Sequence, residues 1–192
     1  MTLGQQTALI IVDVQTDFCP GGSLAVPQGD DVIPVLNRYI EIFQKAGSPI
    51  YCTRDWHPDN HCSFRPHGGP WPVHCVQGTT GAQFHPHLNV PTDAVIISKA
   101  ADPAVEAYSG FQGTELALKL QQQNIRTILV GGLATDYCVK HTVLDGLKAA
   151  FTVYFLSDGS RAVNVNPGDG ERAVQEMASA GSRLMTFDQF SS

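Results

Sequence analysis

The chain has 192 residues, of which 43% are hydrophobic and 16% charged, enough apolar material for one folded domain and too little charge for a disordered one. Twelve Lys and Arg against 18 Asp and Glu give a formal net charge of −6, and the chain has no basic cluster, so a nucleic-acid partner is not expected. The longest apolar runs fall far short of a bilayer span, and the first, residues 8–12, lacks a basic lead and is broken by Asp13, so neither a membrane protein nor a signal peptide is expected.

Six β-rich runs are predicted in chain order, at 7–14, 49–54, 94–98, 127–131, 152–156 and 183–187. Several are continuously apolar, as Ala-Leu-Ile-Ile-Val is, which suits parallel strands covered on both faces. Helical patterns lie between them. Val32, Leu36, Tyr39, Ile40 and Phe43 form one stripe that Gly47 stops. Thr114 is placed to cap a second helix carrying Leu116, Leu118 and Leu120. A third stripe runs through Val139, Val143, Leu144 and Leu147, and a fourth through Ala173, Val174 and Met177, ended by Gly181. This alternation predicts an α/β fold, a three-layer α-β-α domain over residues 1–192. Its sheet is expected to have about six strands, mostly parallel, with helices on both faces. Residues 57–89 break the alternation, and six of the seven histidines fall there, so this loop is the place to expect a metal. Five cysteines with no C-x-x-C pair read as free thiols of a reducing cytoplasm.

In an open parallel sheet, ligands bind beyond the carboxyl ends of the strands. The first four predicted strands end in Asp13, in Asp55 with His57, in Lys99, and in the segment leading to Cys138. With Thr135 or Asp136 as helix cap, Cys138 would occupy a first helical turn. The dipole there and a nearby Lys99 are expected to lower its thiol pKa. Asp13 could then accept and return the proton, and amides near Ala134 and Cys138 could hold an oxyanion. A lone helix cysteine is more often an inert small hydrophobe; the acid and the amine at neighbouring strand ends turn the balance towards catalysis. Asp55, His57 and His74 supply one carboxylate and two imidazoles, a set that suits zinc, manganese or iron with open positions. His61, Cys62 and Ser63 lie near enough in sequence to add a ligand or to support one. Phe18, Trp71 and Tyr108 follow strand-end sites in irregular segments, where a planar substrate ring could be sandwiched.

These residues resemble a known family. Asp13, Gln15, Asp17, Phe18 and Gly21-Gly22-Ser23-Leu24 look like the first motif of the nicotinamidases, within the isochorismatase-like hydrolase superfamily. Thr53-Arg54-Asp55-Trp56-His57-Pro58, Gly69-Pro70-Trp71-Pro72-Val73-His74-Cys75, Lys99, Tyr108-Ser109-Gly110-Phe111 and Gly131-Gly132-Leu133-Ala134-Thr135-Asp136-Tyr137-Cys138-Val139 follow in order over nearly the whole chain. The resemblance implies a cytoplasmic enzyme of NAD salvage that deamidates nicotinamide to nicotinate and also takes pyrazinamide. It implies Asp13, Lys99 and Cys138 as the triad, Ala134 and Cys138 as the oxyanion hole, and a thioester intermediate. One divalent metal, zinc ahead of iron or manganese, would sit on Asp55, His57 and His74, with His61 and Ser63 competing for a fourth position. Phe18, Trp71, Tyr108 and Leu133 would contact the substrate, and the Leu133–Ala134 peptide would be cis. A homo-oligomer is left open.

Three rivals remain at this point. A sibling cysteine amidohydrolase acting on another small amide would share the triad but not need the aromatic walls. An isochorismatase proper would work without the cysteine. A non-catalytic, flavodoxin-like metal-binding module would not need the thiol, acid and amine to converge.

Overall fold

Strand β1 (Thr7–Val12) carries apolar residues without alternation because both its faces are covered. Leu9 and Ile11 pack with one helical layer, and Ala8, Ile10 and Val12 with the other. In the computed structural model, which describes residues 6–191, β1 is central in a six-stranded sheet of order β3-β2-β1-β4-β5-β6. The other strands are β2 (Ile50–Asp55), β3 (Val95–Lys99), β4 (Thr127–Leu133), β5 (Thr152–Arg161) and β6 (Arg183–Met185), and every pair is parallel. The expected α/β architecture stands, with the sheet wholly parallel.

One face is covered by α1 (Val32–Ala46) and the short terminal α5 (Phe187–Ser191). Leu36, Ile40 and Phe43 of α1 are sealed against the sheet, each contributing about 1.5–3 kcal/mol by burial. Gly47 ends α1 in the left-handed conformation, its N–H turned back to the carbonyls of Gln44 and Phe43, as a C-terminal glycine does. The opposite face holds α2 (Leu116–Gln122), α3 (Lys140–Lys148) and α4 (Asp169–Ser179). Thr114 Oγ1 accepts the N–H of Leu116 from one residue ahead of the N-cap, which is Glu115 and not Thr114 and makes no side-chain cap bond.

Several details differ from the sequence pattern, among them β5, which runs on to Arg161 and not to residue 156. Asp13 takes a left-handed backbone (φ +49°), which ends β1 at Val12 and not at residue 14. Strand β6 stops at Met185 because Phe187 opens α5, its ring edge-on to Tyr39 at 4.9 Å. Strand β3 lies at the sheet edge and is covered on one face only, leaving Ile96 39% exposed. Leu118 points out of the α2 stripe into solvent, on the side of the helix away from Leu116 and Leu120.

From β1 the chain steps outward through β2 and β3, and from β4 in the other direction through β5 and β6. The order therefore reverses between β1 and β4, where a crevice opens at the carboxyl ends of both strands. The two strands approach closely at Gly132 (φ +127°), where a Cβ would lie 2.1 Å from the Val12 carbonyl oxygen. Glycine is required there both for its backbone conformation and for the space.

Candidate active site

Each of the four central and edge strands on this side delivers one group to the crevice. Asp13 follows β1, Asp55 ends β2, Lys99 ends β3 directly in register with Asp55, and Cys138 follows β4. Lys99 Nζ joins them: it lies 2.9 Å from Asp13 Oδ2 and 3.4 Å from Cys138 Sγ, donates to the Ala107 carbonyl at 3.2 Å, and forms a close ion pair with Asp55 Oδ1. Asp13, Asp55 and Cys138 present atoms within 4.8 Å of one another. All four side chains are buried.

Burial sets the charges. It pushes Lys99 down, but Asp13 and Asp55 outweigh it and hold the ammonium protonated far above its ordinary range. Burial likewise pushes Asp55 up, but Lys99 and then His57 hold it ionised, below the usual carboxylate range. For Asp13 burial wins, and the carboxyl rises in spite of Lys99 and the 2.6 Å hydrogen bond from Thr53 Oγ1. The Cys138 thiol is pushed well up by burial, with Lys99 opposing and Asp13 and Asp55 adding to the rise. The expected lowering of this thiol's pKa is therefore corrected: withdrawn from water and faced by two carboxylates, the sulfur keeps its proton at rest.

The expected helix cap is corrected too. Cys138 lies in a single π-helical turn, Thr135–Val139, ahead of α3, and no side chain caps it. Thr135 Oγ1 pairs with Ser160 Oγ at 2.6 Å, and the Asp136 carboxylate accepts the N–H groups of Val163 and Asn164 at 2.9 and 2.8 Å, tying down the chain after β5. The Leu133–Ala134 peptide is cis, as anticipated. The Ala134 carbonyl accepts from the N–H groups of Tyr137 and Val139 and so is turned into the following turn.

Beside Lys99, the Asp55 carboxylate and the rings of His57 and His74 offer donor atoms within 4.8 Å of one another, all buried. His57 Nδ1 bonds the Ala100 carbonyl at 3.2 Å and His74 Nδ1 the Pro72 carbonyl at 2.8 Å, which leaves each Nε2 for the site. His57 Nε2 is buried without a hydrogen-bond partner, 3.7 Å from Asp55 Oδ2. An orphaned imidazole nitrogen facing a carboxylate and a second imidazole fits a borderline-soft divalent cation. His61 engages both nitrogens elsewhere, with Ser63 Oγ at 2.7 Å and the Val105 carbonyl at 3.2 Å, so neither His61 nor Ser63 completes the cluster in this arrangement. His67, His85 and His87 stand apart from it.

The groups open onto a small cavity of about 30 Å³. Phe18, Trp71 and Tyr108 line it with Asp55, His57, His74, Ala134 and Cys138. Trp71 Nε1 donates to Tyr108 Oη at 3.0 Å, and the Trp71 ring stands edge-on to Tyr137 at 5.0 Å, so the aromatic wall is held as a unit. Leu133 departs from expectation: its side chain is fully buried in the core on the α1 side and does not line the cavity. Leu24, Glu106, Tyr137 and Val163 do line it and were not anticipated. Leu24 and Tyr137 lie within the family-like motifs around Phe18 and Cys138, and that adjacency is the available signal. Val163 arrives by the long β5 and its exit, which no local pattern marks.

Residues 7–189 match the isochorismatase domain model. The chain is 42% identical over 201 aligned positions to the nicotinamidase of Escherichia coli (strain K12), covering 94% of each chain. Among solved structures, it is similar to the pyrazinamidase of Pyrococcus horikoshii in complex with zinc, with 52% identity, a TM-score of 0.91, and coverage of 95% of this chain and 99% of that one. It is also similar to an L. infantum protein in complex with nicotinate, with 36% identity, a TM-score of 0.91, and coverage of 98% and 97%.

Proposed function

The chain belongs to the isochorismatase family, and we propose that it is a nicotinamidase, hydrolysing the carboxamide of nicotinamide to nicotinate and ammonia and accepting pyrazinamide. The observation that carries this reading is Lys99 Nζ, which gathers Asp13, Asp55 and Cys138 at the foot of one aromatic-walled cavity beside His57 and His74. The nicotinamidase and pyrazinamidase relatives and the nicotinate complex support the substrate class. A single hydrolase domain is part of the proposal, supported by the one continuous sheet. So is a role in NAD salvage in the cytoplasm, a compartment with which five free cysteines agree.

The mechanism uses this chain's own groups. Phe18, Trp71 and Tyr108 sandwich the pyridine ring and bring the carboxamide over the sulfur. Asp13 takes the thiol proton as Cys138 Sγ attacks the carboxamide carbon; a raised Asp13 and a raised thiol make that transfer a short step between near neighbours. Lys99 stays protonated throughout and holds Asp13 in place. The N–H groups of Ala134 and Cys138 hold the oxyanion, a role supported by their position on the cavity wall. Asp13 passes its proton to the leaving nitrogen, ammonia departs, and a thioester remains on Cys138. Asp13 then takes a proton from the attacking water, the acid leaves, and the thiol regains its proton. Asp55, His57 and His74 would hold a divalent cation, with zinc favoured by the Pyrococcus horikoshii relative. Bound there, it would supply Lewis-acid polarisation.

The test is ammonia release from nicotinamide, pyrazinamide and benzamide with metal analysis of the same preparation. The expected result is turnover of the first two and one bound divalent ion per chain. Turnover of a carbamoyl compound with none of nicotinamide would move the chain to the sibling amidohydrolases.

A further inference from the structure

The turn that carries Asp13 also carries two buried polar side chains that the mechanism above leaves without a task, Gln15 and Asp17. The Gln15 side-chain amide stands where a neighbouring strand's backbone would: its Oε1 accepts the N–H of Asp55 at 2.8 Å, and its Nε2 donates to the Asp55 carbonyl at 2.8 Å and to the Ala82 carbonyl at 2.9 Å. The β1–β2 ladder ends at Val12 and Thr53, followed by the bond from Asp13 N–H to the Thr53 carbonyl, so Gln15 alone continues the pairing to the level of Asp55. Asp17 does the corresponding work on the other segment. Its Oδ2 accepts the N–H of Cys75 at 2.7 Å and its Oδ1 the N–H of Ser23 at 3.1 Å. The Cys75 carbonyl in turn accepts the N–H of His57, so the residue next to His74 is fixed from both sides. A Cβ at Gly81 would lie 2.1 Å from the Asp17 carboxylate, which shows how tightly that group is enclosed.

We infer that Gln15 and Asp17 are positioning residues that template the divalent-cation site, Gln15 by setting the backbone that aims Asp55 and Asp17 by setting the one that aims His74 and His57. Because both sit on the turn that begins at Asp13, they also tie the cation's position to that of the base. Neither touches substrate or cation, and their effect passes through the donors. The inference rests on the cation site of the proposed function.

The experiment measures zinc affinity of the metal-stripped enzyme by competition with a chromogenic chelator, for wild type, Gln15→Met, Gln15→Asn and Asp17→Asn. Wild type is expected to bind one zinc, and the variants to bind it about 10–100-fold more weakly, the usual cost of losing a group that orients a metal ligand. Excess zinc is expected to restore kcat towards wild type at unchanged KM, which damage to folding alone would not allow. If Gln15→Met does not fold, Gln15→Asn and Asp17→Asn carry the same measurement. Wild-type affinity in folded variants overturns the inference while leaving the cation site intact. A wild-type protein that binds no zinc overturns the cation site and the inference with it.

Discussion

The ammonium of Lys99 lies 2.9 Å from the carboxylate of Asp13, and both side chains are out of reach of solvent. Two charges in such a place are tolerated only when each compensates the other and further bonds complete them. Here Asp55, the Ala107 carbonyl and Thr53 do so. Lys99 therefore keeps its proton and holds Asp13 in place, which leaves Asp13 as the group of the pair that can exchange a proton with Cys138.

Thr53→Val tests how Asp13 is tuned. The Thr53 hydrogen bond favours the charged carboxylate, so its removal raises the Asp13 pKa further. The acid limb of kcat/KM is expected to move to higher pH, with activity lost first at low pH. A pH–rate profile of wild type and variant measures it, and an unmoved or downward-moving limb contradicts the assignment of Asp13 as base.

Tyr108→Phe removes the acceptor of the Trp71 indole N–H while keeping the ring. Leaving that donor unpaired costs about 1 kcal/mol. With Trp71 free to turn away from the ring site, KM for nicotinamide is expected to rise about fivefold at nearly constant kcat. Steady-state kinetics on both enzymes decides it, and a loss confined to kcat speaks against a purely positional aromatic wall.

Gly132→Ala tests the crevice itself. An added Cβ would meet the Val12 carbonyl oxygen of the adjacent central strand at 2.1 Å, and the backbone there has φ +127°. Destabilisation of about 4 kcal/mol or more is expected, the range reached by few single substitutions. Urea denaturation measures it, and near-wild-type stability would show that β1 and β4 separate without cost.

Thiol alkylation separates the five cysteines. Burial pushes Cys19 up to about 11 and Cys52 up to about 12, so both remain protonated thiols at neutral pH, shielded from reagent. Cys62 is the only one with substantial exposure. Iodoacetamide at pH 7.5 is expected to label Cys62 first, and Cys138 slowly, at a rate that climbs with pH as the fraction of thiolate grows. Peptide mapping against time reads the order; fast labelling of Cys138 at pH 7.5 contradicts a protonated resting sulfur.

Much of this site is legible in the sequence, because parallel strands deliver their chemistry at one end and the motifs mark which residue stands at each end. Asp13, Asp55, Lys99 and Cys138 could be placed on that rule alone. What the sequence withheld depends on cross-strand partners. Thr53 reaches Asp13 only through the β1–β2 register, and Gln15 reaches Asp55 across a separation of 40 residues. The direction of the Cys138 shift is not legible for a related reason: full burial and two facing carboxylates emerge only in the packed structure, where they outweigh Lys99. The family resemblance implies Leu133 as a substrate contact, but strand alternation turns its side chain to the α1 core.

The most direct measurement is acid-quenched mass spectrometry of the Cys138 peptide during nicotinamide turnover, paired with ammonia release by Cys138→Ala. The account predicts a nicotinoyl thioester on Cys138 that hydroxylamine removes, and a fall in ammonia release of about 10⁴- to 10⁶-fold in the variant. Ammonia release undiminished in Cys138→Ala, with no acyl group on the wild-type peptide, would contradict it.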